Sequence, residues 1–229
     1  MKKRVIVLSL GGSLIVPEHI NPKWLDKFKN IIKKHCNQYK FVAVCGGGFV
    51  AREYISILAH EHKSQKEQSI AGIMATRMNA KLMMQLFASA ANEFLPRSMQ
   101  EVKNQLSKNK IVFCGALRYA PNQTSDSTAA ELAKYLKTDF INLTNIDGLY
   151  SANPNTDKNA KFISSISWKE FEKRALKIKY KPGQHFVLDQ KAAKIIRKNR
   201  IKTHILGKNL KNLDNLLNSK SFRGTTIVG

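Results

Sequence analysis

No apolar run in this chain approaches the roughly 20 residues that a bilayer-spanning helix requires, so none is expected. Cysteine is scarce and odd in number: Cys36, Cys45 and Cys114 share no metal-ligand spacing, and two of them fall inside predicted strands. A disulfide framework and a zinc site both give way to reduced thiols in or near the core. The 6 histidines, His19, His35, His60, His62, His185 and His204, show no triad or metal spacing, and none is assigned chemistry. There is no internal repeat and no low-complexity linker. Met1-Lys2-Lys3-Arg4 has the basic start of a signal peptide, but the apolar run behind it stops at Gly11-Gly12 without a small-residue cleavage pattern. It reads as the lead into the first core strand of a cytoplasmic protein.

Acidic residues are also few. Against 39 Lys and Arg stand 16 Asp and Glu, a formal charge of +23 over 229 residues. The excess is spread along the chain: residues 1–110 carry 18 basic and 7 acidic side chains, residues 111–229 carry 21 and 9. Such a surface attracts phosphate backbones and admits a nucleic-acid partner. No nucleic-acid module, arginine-rich tail or aromatic interleaving accompanies the charge, which fits an ordinary enzyme with a lysine-rich coat better. A nucleotide substrate would benefit from the same field.

What the chain does contain is a repeated device. Val5-Ile6-Val7-Leu8-Ser9-Leu10 is a buried strand that breaks at Gly11-Gly12-Ser13, and Phe41-Val42-Ala43-Val44-Cys45 breaks at Gly46-Gly47-Gly48. Backbone N–H groups at such turns cradle anions, and a hydroxyl adds a donor. Arg52 lies about one helical turn past the second set, within reach of a phosphate held at the helix start. Two glycine-lined strand ends, facing each other across a gap, predict a ligand with phosphates at both ends.

The remainder alternates strands and helices. Trp24, Leu25, Phe28, Ile31 and Ile32 share one helical face. A polar stretch, Lys63 to Gln68, precedes a helix carrying Ile73, Met78, Leu82, Met83, Leu86 and Phe87, a stripe expected in the core or at a subunit interface. Ile111-Val112-Phe113-Cys114 is a third strand ending at Gly115. The loop from Ala116 to Thr128 follows, and Ser125 or Asp126 is placed to cap the next helix. Phe140 to Leu143 forms a fourth strand, left through Thr144-Asn145-Ile146-Asp147-Gly148-Leu149-Tyr150, where Asp147 reads as a turn residue. Lys181-Pro182-Gly183 precedes Asp189 and a helix, then Thr203 to Gly207 makes a fifth strand and Thr225 to Val228 a closing one. The pattern predicts a single domain over 1–229, an α/β three-layer αβα sandwich with a mostly parallel sheet.

In order and spacing, Leu10-Gly11-Gly12-Ser13, Gly46-Gly47-Gly48 with Ala51-Arg52 and Tyr54, Gly72 with Ala75-Thr76-Arg77 and Asn79-Ala80, Thr124-Ser125-Asp126 with Ala129-Ala130, Thr144 to Tyr150, and Gly224-Thr225 resemble the amino acid kinase family. Within it, the resemblance is to the uridylate (UMP) kinases of archaeal type. It implies in-line transfer of the γ-phosphoryl group of ATP to UMP, without a covalent enzyme intermediate. By the same resemblance Gly12, Ser13, Arg52 and Asp126 carry the catalysis, with Asp126 organising the cations. Gly11, Gly12, Ser13, Gly48, Arg52, Asn145, Tyr150 and Asn153 meet ATP; Gly46, Gly47, Ser69, Gly115, Thr124 and Ser125 meet UMP. Mg2+ is expected bound with ATP, held by nucleotide and water rather than by a protein metal site. A homo-oligomer built from dimers, as large as a hexamer, is implied as well.

The chain departs from that family pattern in places. Ser9 stands where many members place a phosphate-binding lysine, so that charge is expected from Arg52, Lys158 or Lys161. Ser69 stands where an aspartate usually meets the ribose hydroxyls, Asn122-Gln123 replaces a glycine-rich approach, and Asn153 replaces an aspartate before Pro154. The alternatives are a relative acting on carbamate, an amino-acid carboxylate or isopentenyl phosphate, and a catalytically weak nucleotide- or RNA-binding protein. The absence of a histidine near the glycine turns counts against isopentenyl phosphate.

Overall fold

The computed structural model describes residues 3–121, 123–152, 154, 156–177 and 188–229. Parallel strands β1 (Arg4–Leu10), β2 (Tyr39–Cys45), β3 (Ile111–Cys114) and β4 (Asp139–Leu143) build its centre, joined by β8 (Thr203–Leu206). Between β4 and β8 the chain adds a two-stranded hairpin, β5 (Leu149–Tyr150) with β6 (Phe162–Ile163), and the short β7 (Ser165–Ile166). The sheet closes with β9 (Thr225–Ile227), antiparallel to β8 and parallel to β7, in the order β3-β2-β1-β4-β8-β9-β7.

Alternation along these strands decides which helices cover which face. Leu8, Leu10, Phe41, Ala43, Phe113 and Leu143 point to a core filled by α2 (Pro22–His35), the C-terminal half of α4 (Gln65–Phe87) and α9 (Leu210–Leu217), beside the one-turn α1 (Gly12–Ile15). Val7, Val42, Val44, Val112 and Phe140 point the other way, under α5 (Met99–Lys108), α6 (Ser125–Leu136), α7 (Trp168–Leu176) and α8 (Gln190–Lys198). This is the three-layer αβα sandwich that the strand pattern predicts. Helix α3 (Gly48–His60) lies outside both cores and packs on α4, with Ala51 as its one buried residue.

Several expectations change. Helix α4 begins inside the polar stretch, at Gln65: Ser64 accepts from Glu67 N, and the Glu67 carboxylate accepts from Ser64 N, a reciprocal cap that starts the helix about one turn early. The Met-rich stripe divides, with Met83 and Phe87 in the core and Met78 72% exposed. Thr124, not Ser125 or Asp126, caps α6, accepting from Ser127 N at 3.1 Å. Cys36, Cys45 and Cys114 are all buried, and burial pushes each thiol up from its usual range, which makes them inert packing residues. No helix of the described residues is long and apolar enough to cross a membrane.

Candidate active site

The C-terminal ends of β1, β2, β3 and β4 open onto one cleft of about 360 Å³. This is where a parallel sheet leaves its strand ends unfilled and its loops converge. Gly11, Gly12 and Ser13 after β1 line it with Gly46, Gly47 and Gly48 after β2, Arg52 on α3, Ser69 on α4, Thr124, Ser125 and Asp126 at the start of α6, and Asn145 after β4.

The two glycine turns do not face each other across a gap. They pack backbone to backbone into one continuous floor, because Gly11 N donates to Leu143 O and Gly46 N to Leu10 O, each at 2.9 Å, drawing adjacent strand ends level. A Cβ on Gly12 would fall 2.6 Å from both Gly46 C and Gly48 Cα, so nothing larger than hydrogen fits there. Gly48 has φ +66°, a left-handed backbone that a side chain resists, and it starts α3, whose N-cap Gly47 supplies no side-chain cap.

Ser9, buried in β1, fills the place of the expected lysine with a different function. Its hydroxyl donates to Asp126 Oδ1 at 2.6 Å. Burial, and then the carboxylate of Asp189, push the Asp126 carboxyl up to about 7, against the opposing pull of the Ser9 hydrogen bond. Asp189 caps α8, accepting from Ala192 N at 2.9 Å, and also accepts from the Thr124 hydroxyl. The site therefore holds a pair of carboxylates, one poised near neutrality. Asp189 is a site residue that sequence reasoning places only beside a helix; its capping position was readable, its meeting with Thr124 was not.

Cations are few here. Among the described residues Arg52 and Arg118 are the basic side chains lining the cleft, and neither Lys158 nor Lys161 nor any histidine does so. Two expected contacts, Gly115 and Tyr150, lie off the lining. Gly115 packs against the Thr76–Arg77 backbone of α4. Tyr150 sits on the β5–β6 hairpin with its ring edge-on to Phe162 at 5.3 Å. Asp147 lies 3.4 Å from Arg223 Nε, in keeping with a turn residue. Asn153, like Asn122, Lys181-Pro182-Gly183 and His185, falls outside the described residues.

No group of three or more His, Cys, Asp or Glu able to hold a metal ion occurs among the described residues. With Asp126 and Asp189 as the lining carboxylates, the donor set suits a hard divalent cation that brings most of its own oxygen ligands as phosphate and water.

The chain matches the amino acid kinase family over residues 4–207. It is 36% identical over 202 residues to a uridylate kinase of Archaeoglobus fulgidus, covering 88% of this chain and 90% of that one. It is 34% identical over 226 residues to a uridylate kinase of Methanocaldococcus jannaschii, covering 97% and 98%. The crystal structure of uridylate kinase from Archaeoglobus fulgidus superposes with a TM-score of 0.85 at 32% identity, covering 97% of this chain and 99% of the other.

Proposed function

Because the chain belongs to the amino acid kinase family, we propose that it transfers the γ-phosphoryl group of ATP to UMP, giving UDP and ADP. The observation that carries this reading is the shared glycine floor, which offers backbone donors to two phosphates at once and no side chain between them. Phosphoryl transfer needs little covalent chemistry from a protein; it needs two anions aligned and the charge between them neutralised. The amides of Gly12 and Ser13 hold the transferring phosphate and those of Gly47 and Gly48 the acceptor phosphate, while the Gly11 and Gly46 amides, given to Leu143 O and Leu10 O, hold the two turns together. Arg52 adds a planar, permanently charged fork above them. Ser125 donates to the acceptor, Thr124 borders the same half with its hydroxyl given to Asp189, and Asn145 borders the donor nucleotide. Asp126 is the carboxylate that would hold Mg2+ when ATP brings it, and the cation would supply neutralisation of phosphate charge. Ser9 holds the Asp126 carboxylate in place.

Initial rates with ATP and UMP, CMP, isopentenyl phosphate or carbamate test the acceptor. UMP is expected to give the highest kcat/KM, and preference for any other acceptor contradicts the reading. Arg52→Ala is expected to lower kcat/KM by on the order of 10²-fold, as loss of one preorganised charge does. Arg52→Lys restores only part, since a point charge replaces a fork.

Self-association belongs to the same reading. Tyr54 and Ile57 on α3 and Ile70, Met74 and Met78 on α4 are all exposed, and together they form an apolar face in a chain of charge +23. A second copy of the chain presenting the same patch buries it, and an isologous pairing of this kind suits a two-fold axis. Met78→Glu is expected to shift the particle toward monomer in sedimentation velocity, and an unchanged sedimentation coefficient contradicts this interface.

A further inference from the structure

Helix α4 carries three polar side chains, Thr76, Arg77 and Asn79, to which phosphoryl transfer as described gives no task. Asn79 is only 5% exposed, and its amide nitrogen donates to Gly46 O at 2.7 Å and Gly47 O at 3.1 Å. Arg77 donates from Nε to Ala116 O at 3.2 Å and from Nη2 to Leu117 O at 3.0 Å. Thr76 Oγ1 accepts from Ala116 N at 2.9 Å while its own proton goes to Ile73 O at 2.7 Å. One helix thus gathers four carbonyl oxygens from two loops that leave neighbouring strands.

That gathering has an electrostatic consequence. A trans peptide is planar, so each C=O points opposite to the N–H that follows it. Tying the carbonyls of Gly46, Gly47, Ala116 and Leu117 to α4 turns the N–H groups of Gly47, Gly48, Leu117 and Arg118 away from it. Gly47, Gly48 and Arg118 line the cleft. A carbonyl in such a cleft repels a phosphate, whereas an N–H attracts it.

We propose that Thr76, Arg77 and Asn79 are positioning residues that set the polarity of the acceptor half of the cleft: Arg77 and Asn79 withdraw four carbonyl oxygens from it, and Thr76 anchors the Ala116 peptide between them by accepting its N–H. They act on affinity for the phosphate-bearing acceptor through the backbone, and the donor half is spared. The proposal rests on the acceptor reading given above.

Calorimetric titration of UMP and of ATP, each alone, tests it in the full chain with Asn79→Leu, Arg77→Met, Thr76→Val and Thr76→Ser. Asn79→Leu and Arg77→Met are expected to weaken UMP binding tenfold or more, at least fivefold beyond any loss in ATP binding. Thr76→Val is expected to weaken UMP in the same sense, and Thr76→Ser, which keeps the accepting oxygen, to bind as the unaltered chain does. Hydrogen exchange is expected to rise over residues 46–48 and 116–118 in the weakened variants. Equal losses for both nucleotides, or unchanged UMP affinity beside a lowered Tm, overturn the proposal. If Asn79→Leu does not fold, the Thr76→Val and Thr76→Ser pair decides by the same criteria. An unaltered chain that binds no UMP overturns the acceptor reading separately. Inorganic phosphate then replaces UMP as the probe, with the same tenfold loss expected and an unchanged affinity overturning the proposal.

Discussion

Asp126→Asn is expected to cut phosphoryl transfer by on the order of 10²–10³-fold while raising the thermal stability of the ligand-free protein above neutral pH. The activity loss follows from removing a preorganised charge next to the transferring group. The stability gain follows from burial and the Asp189 carboxylate, which raise the Asp126 carboxyl from 3.8 to about 7. An acid raised on folding binds its proton more tightly in the folded state. Its stabilising contribution is therefore complete below about pH 4 and is lost as pH rises through about 7. Asn replaces the proton permanently, so Tm at pH 8 should rise by an amount equivalent to roughly 4 kcal/mol, and the difference between the two proteins should vanish toward pH 4. In the unaltered enzyme kcat/KM should climb through about pH 7 as the carboxylate ionises. Paired melting curves at pH 4, 6 and 8 check this, and a variant no more stable than its parent at pH 8 contradicts it.

Gly12→Ala should be the most damaging single methyl group in the chain. It would overlap the backbone of Gly46 and Gly48, and neither can yield without separating the ends of β1 and β2. Overpacking against backbone costs about 3 kcal/mol or more, and a floor displaced by even 1 Å should remove 10²-fold or more of the rate. Gly72→Ala is the matched control. Its added Cβ meets only the end of the Ile55 side chain at 3.2 Å, and alanine gains helix propensity of up to about 1 kcal/mol. Gly12→Ala with normal turnover would mean that the two turns are not in contact in solution.

The fold was legible wherever period and punctuation agree. Strands β1, β2, β3, β4 and β8 are short apolar runs that end at glycine or at polar turns, and a buried parallel strand can hardly be written otherwise. Helices α5 and α7 were not read, because each has only two buried residues, Val102 with Leu106 and Phe171 with Ala175, among charged and amide side chains. The β5–β6 hairpin has two residues per strand, too few for any alternation to show. In the site, the glycine turns and the Thr124-Ser125-Asp126 cluster announced themselves by composition. What could not be read was the meeting of Ser9 with Asp126, 117 positions apart, or of Thr124 with Asp189, 65 apart, since pairing at such distances exists only after the sheet has formed. Ser9 illustrates the point: in sequence it is a missing lysine, in the structure it is the hydrogen-bond donor that holds the key carboxylate.

The central claim is that the abutting turns at Gly12 and Gly46–Gly48 hold the two phosphates between which a phosphoryl group moves. A crystal structure with UMP and a non-hydrolysable ATP analogue bound together tests it most directly. The account predicts the γ-phosphate and the UMP phosphate side by side on that floor, each taking backbone N–H donors, with Arg52 and Asp126 turned toward them. Either phosphate lying elsewhere, or glycine amides turned away from both, would contradict it.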